Sequence, residues 1–356
     1  MLTSALIIFA VAMGISFVLT PLVRKFAIKI NAVDVPKDNR RMHKIPIPRI
    51  GGIAIFVGFM AAMLIFGKSD SEMAWIMVGG LVIAALGIID DLFALPALIK
   101  LVGQIIAAAI PVFNDVVIQN LTNPFAADGS WTLGVWAIPI TILWIVAITN
   151  AVNFIDGLDG LACGVSAIAS ISMFVTAYLI PESPMTITLA MAALAGACLG
   201  FLPFNFNPAQ IFMGDTGAMF IGYIFAACSV QGLFKMHAVI SFAVPFVVLA
   251  IPLADMIFAV VRRLARGKSP FSADRGHIHH KLIDMGLDQK QSVLILYCLN
   301  IVFGVISVLM ATTGESRFII LALSLALAFF VAISVMIYGK SHANNQGKDE
   351  ESIKEE

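Results

Sequence analysis

The sequence predicts an all-α, polytopic integral membrane protein of about eleven transmembrane helices, and three observations carry that prediction. Of 356 residues, 60% are hydrophobic and only 12% charged, whereas a soluble domain carries about 25% charged residues. Mean hydropathy is +0.97, far above the globular range. Charge-free runs recur along the chain, most of them near the ~20 residues that one helix needs to cross a bilayer. A soluble enzyme, a nucleic-acid binder and a disordered scaffold are excluded together, so no nucleic acid is expected as a partner.

The runs place spans at 2–23, 51–67, 73–89, 94–113, 132–150, 160–180, 185–203, 216–234, 237–258, 291–311 and 318–338. Prolines and glycines punctuate the joins, as in Pro181-Glu182-Ser183-Pro184 and Thr313-Gly314-Glu315. The second and third runs are short for a full crossing. The first is long enough to span and no basic residue precedes it, so a cleavable signal peptide is not expected. Cys163, Cys198, Cys228 and Cys298 lie in apolar stretches without CxxC spacing and read as small helix residues.

Net charge is zero, so the total says nothing about partners, but its distribution does. Alternating sides puts 24–50, 90–93, 151–159, 204–215, 259–290 and the tail on one face. Of 22 Lys and Arg residues, all but Lys68, Lys235 and Arg317 fall there, counting Lys100 just inside the fourth span. Basic residues accumulate on the cytoplasmic side. The N-terminus is therefore expected outside, with these loops and the C-terminus in the cytoplasm. Residues 1–338 read as one multi-span catalytic domain, and the polar, acidic 339–356 as a disordered cytoplasmic tail. No internal repeat supports a transporter built from duplicated halves.

The few carboxylates gather at that cytoplasmic face. Asp90-Asp91 ends span three, Asn153-Phe-Ile-Asp156-Gly-Leu-Asp159-Gly160 leads into span six, and Asn205-Phe-Asn207…Phe212-Met-Gly-Asp215-Thr-Gly leads into span eight. Singly, each aspartate could cap a helix, and the glycines could be ordinary turn residues. Collectively they suggest more. Adjacent carboxylates oppose each other's ionisation unless a cation binds them. Five of them at one membrane face would suit a hard divalent cation, Mg²⁺ with retained waters, holding substrate phosphates.

The basic 259–290 loop adds Arg262, Arg263, Arg266, Lys268, Arg275 and the cluster His277-Ile-His279-His280. A zinc site is one reading, although neither HExxH nor a cysteine partner exists. A solvated loop facing anionic lipid is a second. The third is contact with the anionic or sugar part of a substrate, since a positive loop beside a carboxylate–metal cluster equips a site for phosphoryl transfer. Arg49-Ile-Gly51-Gly52 opens a helix or lets phosphate approach; both readings stay open. Asp255, one turn inside span nine, either pairs a basic side chain or adds to the site. His43 and His237 read as surface loop residues.

In order and spacing these motifs resemble those of the polyprenyl-phosphate N-acetylhexosamine-1-phosphate transferases, across residues from about 20 to 290. The isoleucine between His277 and His279 is similar to the WecA-type branch that uses UDP-GlcNAc, whereas the MurNAc-pentapeptide branch carries three consecutive histidines. The resemblance implies transfer of GlcNAc-1-phosphate from UDP-GlcNAc to undecaprenyl phosphate at a bacterial inner membrane, with UMP released. That step would initiate an O-antigen, common-antigen, teichoic-acid or capsule polymer.

It implies Asp215 and Asp159 as metal ligands with Asp156 beside them, and Mg²⁺ (or Mn²⁺) as cofactor. Asn205 and Phe212 would hold the uridine, Lys100 the diphosphate, and Asn153 a substrate group. Asp90 would activate the lipid phosphate, supported by Asp91, while Arg275, His277, His279 and His280 face the sugar-phosphate. A lipid phosphate is already largely dianionic near neutrality, its second pKa being around 6, so a strong base is scarcely needed. One displacement and a two-step aspartyl-phosphate route stay open. So do a homo-oligomer and a different UDP-N-acetylhexosamine donor. A secondary transporter would need charges near helix midpoints, and a CDP-alcohol phosphotransferase would need an arginine that Asp156-Gly-Leu-Asp159-Gly-Leu-Ala lacks.

Overall fold

A computed structural model of the chain describes residues 1–35, 46–67, 70–122, 130–180, 183–232, 247–265, 267 and 278–312. Eleven α-helices lie among the described residues: α1 (Leu2–Lys29), α2 (Gly52–Phe66), α3 (Ser71–Phe93), α4 (Ala97–Val112), α5 (Ala137–Phe154), α6 (Leu161–Leu179), α7 (Met185–Asn205), α8 (Gly214–Gly232), α9 (Ala250–Ala265), α10 (Ile278–Asp284) and α11 (Gln289–Thr312). Six stretches are long and apolar enough to cross a membrane, α1, α3, α5 with the turn before it, α6, α7 and α11; α2 and α4 are shorter apolar helices. The molecule is a multi-pass membrane protein. Backbone groups within a bilayer must be satisfied inside their own segment, and a continuous helix does this.

The helix ends follow from local chemistry. Asp70 caps α3 by accepting from the Met73 amide at 2.7 Å, and the same carboxylate takes Thr186 Oγ1 at 2.9 Å and Gln231 Nε2 at 3.1 Å. Those bonds staple α3, α7 and α8 together. At the other end of α3 the chain turns through Ala94 in the left-handed region and restarts after Pro96. Pro184 likewise precedes α7.

The central helix is α8, buried at every residue from Thr216 to Gly232. Backbones approach closely around it. A Cβ on Gly87 of α3 would strike the backbone of Thr216, so only glycine lets the two helices cross there. Outward-facing Leu6, Phe17, Leu64, Leu98 and Leu143 form an open apolar surface that suits lipid rather than water.

The all-α class agrees with the described fold, which adds only two short ladders not expected from the sequence: Val33–Asp34 (β1) pairs antiparallel with Ile47–Pro48 (β2), and Asn120–Thr122 (β3) with Ser130–Thr132 (β4). These ladders form where chain leaves the bundle and its backbone groups need partners. Several expectations are corrected. The fifth helix begins at Ala137 rather than 132, because β4 and a 3₁₀ turn at Gly134–Trp136 occupy the intervening residues. Helices α3, α5 and α7 run past the predicted span ends, so Asp90, Asp91, Asn153 and Asn205 stand on helices rather than in loops. Hydropathy marks the membrane crossing, while hydrogen bonding carries the helix beyond it. The helix α10 was not anticipated within the basic loop. Residues 266 and 268–277 of that loop, residues 237–246 of the ninth span, the eleventh span at 318–338 and the 339–356 tail lie outside the described residues.

Candidate active site

Helices α3, α4, α5 and α8 bring their charged ends together, and the N-terminus of α8 organises the cluster. Gly214, its first residue, stands at φ +69°, with the Asp91 carboxylate and the Arg49 carbonyl packed where a Cβ would go. The first amides of a helix lack intrahelical acceptors. Asp91, reaching over from α3, supplies them: Oδ1 accepts from the Asp215 amide and Oδ2 from the Thr216 amide, each at 3.0 Å. Thr216 Oγ1 adds a bond to Oδ2 at 2.7 Å, and Arg49 Nη2 one to Oδ1 at 3.3 Å. A carboxylate is also the charge that a helix N-terminus favours.

With its amide held, Asp215 turns its side chain toward two cations and an amide. Asn153 donates to Oδ1; Lys100 Nζ lies 3.5 Å and Arg49 Nη2 3.8 Å from Oδ2. Lys100 also contacts Asp90 Oδ2 directly, while Asp90 Oδ1 accepts from the Leu95 amide at 2.7 Å. Exposure divides the group. The side chains of Asp90 and Asp91 are 1% and 0% exposed, but Asp215, Lys100 and Arg49 are 18%, 28% and 31% exposed. An incoming ligand therefore meets Asp215 and the two cations, with Asp90 and Asp91 behind them.

The α5–α6 turn carries the other two aspartates. Asp156 is half-buried, and its carboxyl has no hydrogen-bond or ion-pair partner among the described residues. Burial, then the charges of Asp215, Asp91 and Asp159, push its carboxyl up to about 8. Asp159 faces the 206–213 loop, where Oδ2 accepts from Asn207 Nδ2 at 2.9 Å and the Ala209 amide at 3.0 Å. Asn207 continues to Gln289 of α11 at 2.9 Å, and Tyr297 of α11 donates to the Gly160 carbonyl.

Asn205 is 2% exposed and its amide donates to the Ile211 carbonyl at 3.0 Å, so it braces the same loop. Half-buried Phe212 is gripped through its backbone, donating to the Pro48 carbonyl at 2.7 Å and accepting from the Gly51 amide at 3.0 Å. The Arg49-Ile-Gly51-Gly52 segment thus holds the 212–213 loop while placing Arg49 in the cluster.

Asp90, Asp91, Lys100, Asn153 and Asp215 are brought together, with Asp156 within electrostatic range. Asp159, Asn205 and Phe212 belong to the adjoining loop. Arg275 and His277, and the side chains of His279 and His280, lie outside the described residues. Sequence reading left Arg49 undecided and missed Asn207 and the Gln104–Asn150 pair below the cluster. A polar residue one turn from each motif was the available signal.

Among the described residues no three acidic, histidine or cysteine side chains form a ready coordination cluster. The donor set nevertheless fits a hard cation: Asp215 is accessible, and Asp156 is an unpaired carboxyl whose ionisation its neighbours oppose. Mg²⁺ keeps several waters and substrate oxygens, so one or two protein carboxylates suffice.

Membrane-crossing helices with a partly open cluster of acidic and basic side chains at one end of the bundle define a multi-pass membrane protein with a charged candidate site. Residues 73–233 match the glycosyl transferase family 4 model. A probable undecaprenyl-phosphate N-acetylglucosaminyl 1-phosphate transferase of Bacillus subtilis (strain 168) is 39% identical, over 93% of this chain and 92% of the relative. A decaprenyl-phosphate N-acetylglucosaminephosphotransferase of Mycolicibacterium smegmatis is 35% identical over 91% and 85%. A phospho-N-acetylmuramoyl-pentapeptide-transferase of Lactiplantibacillus plantarum is 31% identical over 83% and 94%. The chain belongs to glycosyl transferase family 4, as a phosphotransferase of the WecA-type polyprenyl-phosphate GlcNAc-1-phosphate transferase family that its motifs resemble.

Proposed function

We propose that the protein transfers GlcNAc-1-phosphate from UDP-GlcNAc to undecaprenyl phosphate at the cytoplasmic face of a bacterial inner membrane, releasing UMP and starting an envelope polysaccharide. The observation that carries this reading is near full-length similarity to relatives named for that reaction, joined to a site where Lys100 and Arg49 flank Asp215. A nucleotide diphosphate and a lipid phosphate repel each other strongly. Two cations beside an accessible carboxylate can gather them.

In this reading Asp215 and Asp156, with Asp159 nearby, would hold Mg²⁺ or Mn²⁺. When bound, the cation neutralises phosphate oxygens on the donor. Lys100 and Arg49 bind and orient the diphosphate. Asp90, enclosed behind Lys100, positions that lysine rather than meeting the lipid phosphate, which needs little help to ionise. Asp91 acts likewise through the α8 N-terminus. Asn205 and Phe212 shape the uridine side, and Arg275, His277, His279 and His280 contact the sugar-phosphate.

The test offers purified protein, undecaprenyl phosphate and Mg²⁺ each radiolabelled UDP-sugar in turn and counts lipid-extractable label. UDP-GlcNAc should give label. Label only from another UDP-N-acetylhexosamine would change the donor, and no label from any would overturn the reading. Chelation with EDTA should abolish transfer, and Mg²⁺ or Mn²⁺ should restore it; undiminished transfer would sink the metal assignment.

Arg49 gives a second prediction. Arg49→Lys keeps the charge but loses the planar guanidinium whose Nη2 faces both Asp91 and Asp215. It should lower kcat/KM about tenfold, roughly 1.4 kcal/mol, and Arg49→Ala about a hundredfold. Wild-type kinetics in Arg49→Ala would remove Arg49 from the site.

A further inference from the structure

One helical turn further into the bundle from the charged cluster lies a second polar layer. Gln104 stands one turn after Lys100 on α4, Asn150 one turn before Asn153 on α5, and Met219 one turn after Asp215 on α8. Residues three and four apart share a helix face, so each member of the inner layer lies directly beneath a member of the outer one. The inner layer is closed on itself. Gln104 Nε2 donates to Asn150 Oδ1 at 3.3 Å, and Asn150 Nδ2 returns a bond to Gln104 Oε1 at 2.7 Å. Gln104 Nε2 also lies 3.3 Å from Met219 Sδ, and Asn150 Nδ2 donates to the Val146 carbonyl at 2.8 Å.

Gln104 is 3% exposed, and Ala107, Ala108, Ile145 and Ile148 beyond it are buried and apolar. A carboxamide at this depth is costly unless both its groups are paired. Two apolar side chains would fill the space without that cost, so packing alone does not explain the pair. What amides add is a fixed length and direction. The reciprocal pair admits one height and rotation of α4 against α5, and so one distance between Lys100 and the Asn153–Asp215 contact.

We propose that Gln104 and Asn150 are positioning residues that hold the Lys100 ammonium between Asp90 and Asp215, and that they form the floor of the site. The proposal rests on Lys100 contacting the donor's diphosphate, as in the function argued above. It makes the summed length of the two side chains the critical quantity. Gln is one methylene longer than Asn, so exchanging the two preserves the sum while either single change breaks it.

The experiment uses the full-length protein in detergent with UDP-GlcNAc and undecaprenyl phosphate. Gln104→Asn and Asn150→Gln should each lower kcat about tenfold, with KM for UDP-GlcNAc within about threefold. The double exchange should recover kcat to within about threefold of wild type. In a Lys100→Ala background, Gln104→Asn should cost no further activity, because its effect runs through the lysine. A second readout needs no turnover: an amine-reactive acyl ester, followed by mass spectrometry, should label Lys100 at least threefold faster in Gln104→Asn, relative to exposed Lys29. The double exchange should reverse that too.

Failure of the exchange to restore either readout would overturn the proposal, as would a full tenfold loss persisting without Lys100. Wild-type activity in Lys100→Ala would overturn it as well. Were no UDP-sugar to give lipid label, the functional reading would fall while Lys100 labelling still decided the positioning.

Discussion

Replacing Asp215 with alanine is expected to lower kcat/KM for sugar-phosphate transfer at least ~10³-fold, about 4 kcal/mol of transition-state stabilisation. No other acidic side chain of the cluster is both open to a ligand and held from three directions. Asn153 fixes one oxygen, while Lys100 and Arg49 approach the other. Removal has two consequences. The proposed cation loses its accessible carboxylate, and Lys100 and Arg49 lose the charge that aims them at one point. Lys100 would then pair with Asp90 alone, deeper in the protein.

Asp215→Asn is the more telling variant. It keeps the shape and some hydrogen bonding but removes the charge, so it should be nearly as inactive as alanine while folding normally. Its thermal midpoint should match that of wild type, and raising Mg²⁺ should recover little. Substantial activity in Asp215→Asn would show that the carboxylate is needed for geometry alone, and the metal assignment would move elsewhere.

The bundle was legible in the sequence because a bilayer leaves a chain few choices. A helix must be apolar over about 20 residues to cross, so its length and composition mark it in the sequence. The site motifs were legible for a related reason: aspartates are rare in such a chain, so Asp90-Asp91, Asp156, Asp159 and Asp215 stood out against an apolar background. What could not be read was division of labour. Asp90 and Asp91 are neighbours in sequence with one chemistry, yet one meets Lys100 and the other the backbone of α8. That difference arises from how α3 crosses α8 at Gly87 and Thr216, which is a packing fact.

Arg49 was similarly ambiguous because its partners are 42 and 166 positions away. Asn207 stood within a motif without a role of its own, which its bond to Asp159 supplies. The Gln104–Asn150 pair was hidden because single amides in apolar runs carry no motif.

Asp91→Ala should be the most destabilising change in the site, by about 3 kcal/mol or more, because it strands buried groups rather than merely deleting one. Four donors converge on this enclosed carboxylate: the Asp215 and Thr216 amides, Thr216 Oγ1 and the Arg49 guanidinium. With alanine, two amides of α8 lose their acceptor, and Arg49 keeps only the 3.8 Å approach to Asp215. Asp91→Asn does not repair this. Its amide nitrogen cannot accept, so at least one of the two backbone donors stays unpaired.

Both variants should therefore melt several degrees below wild type in detergent, and both should lose transfer activity because Asp215 rides on the end of α8. Asp215→Ala should instead lose activity with little change in melting. A variant at Asp91 that melts like wild type but is inactive would place this carboxylate in contact with substrate after all. Retention of both properties would mean that α8 is capped by other means, and the account of how the site is held would fall.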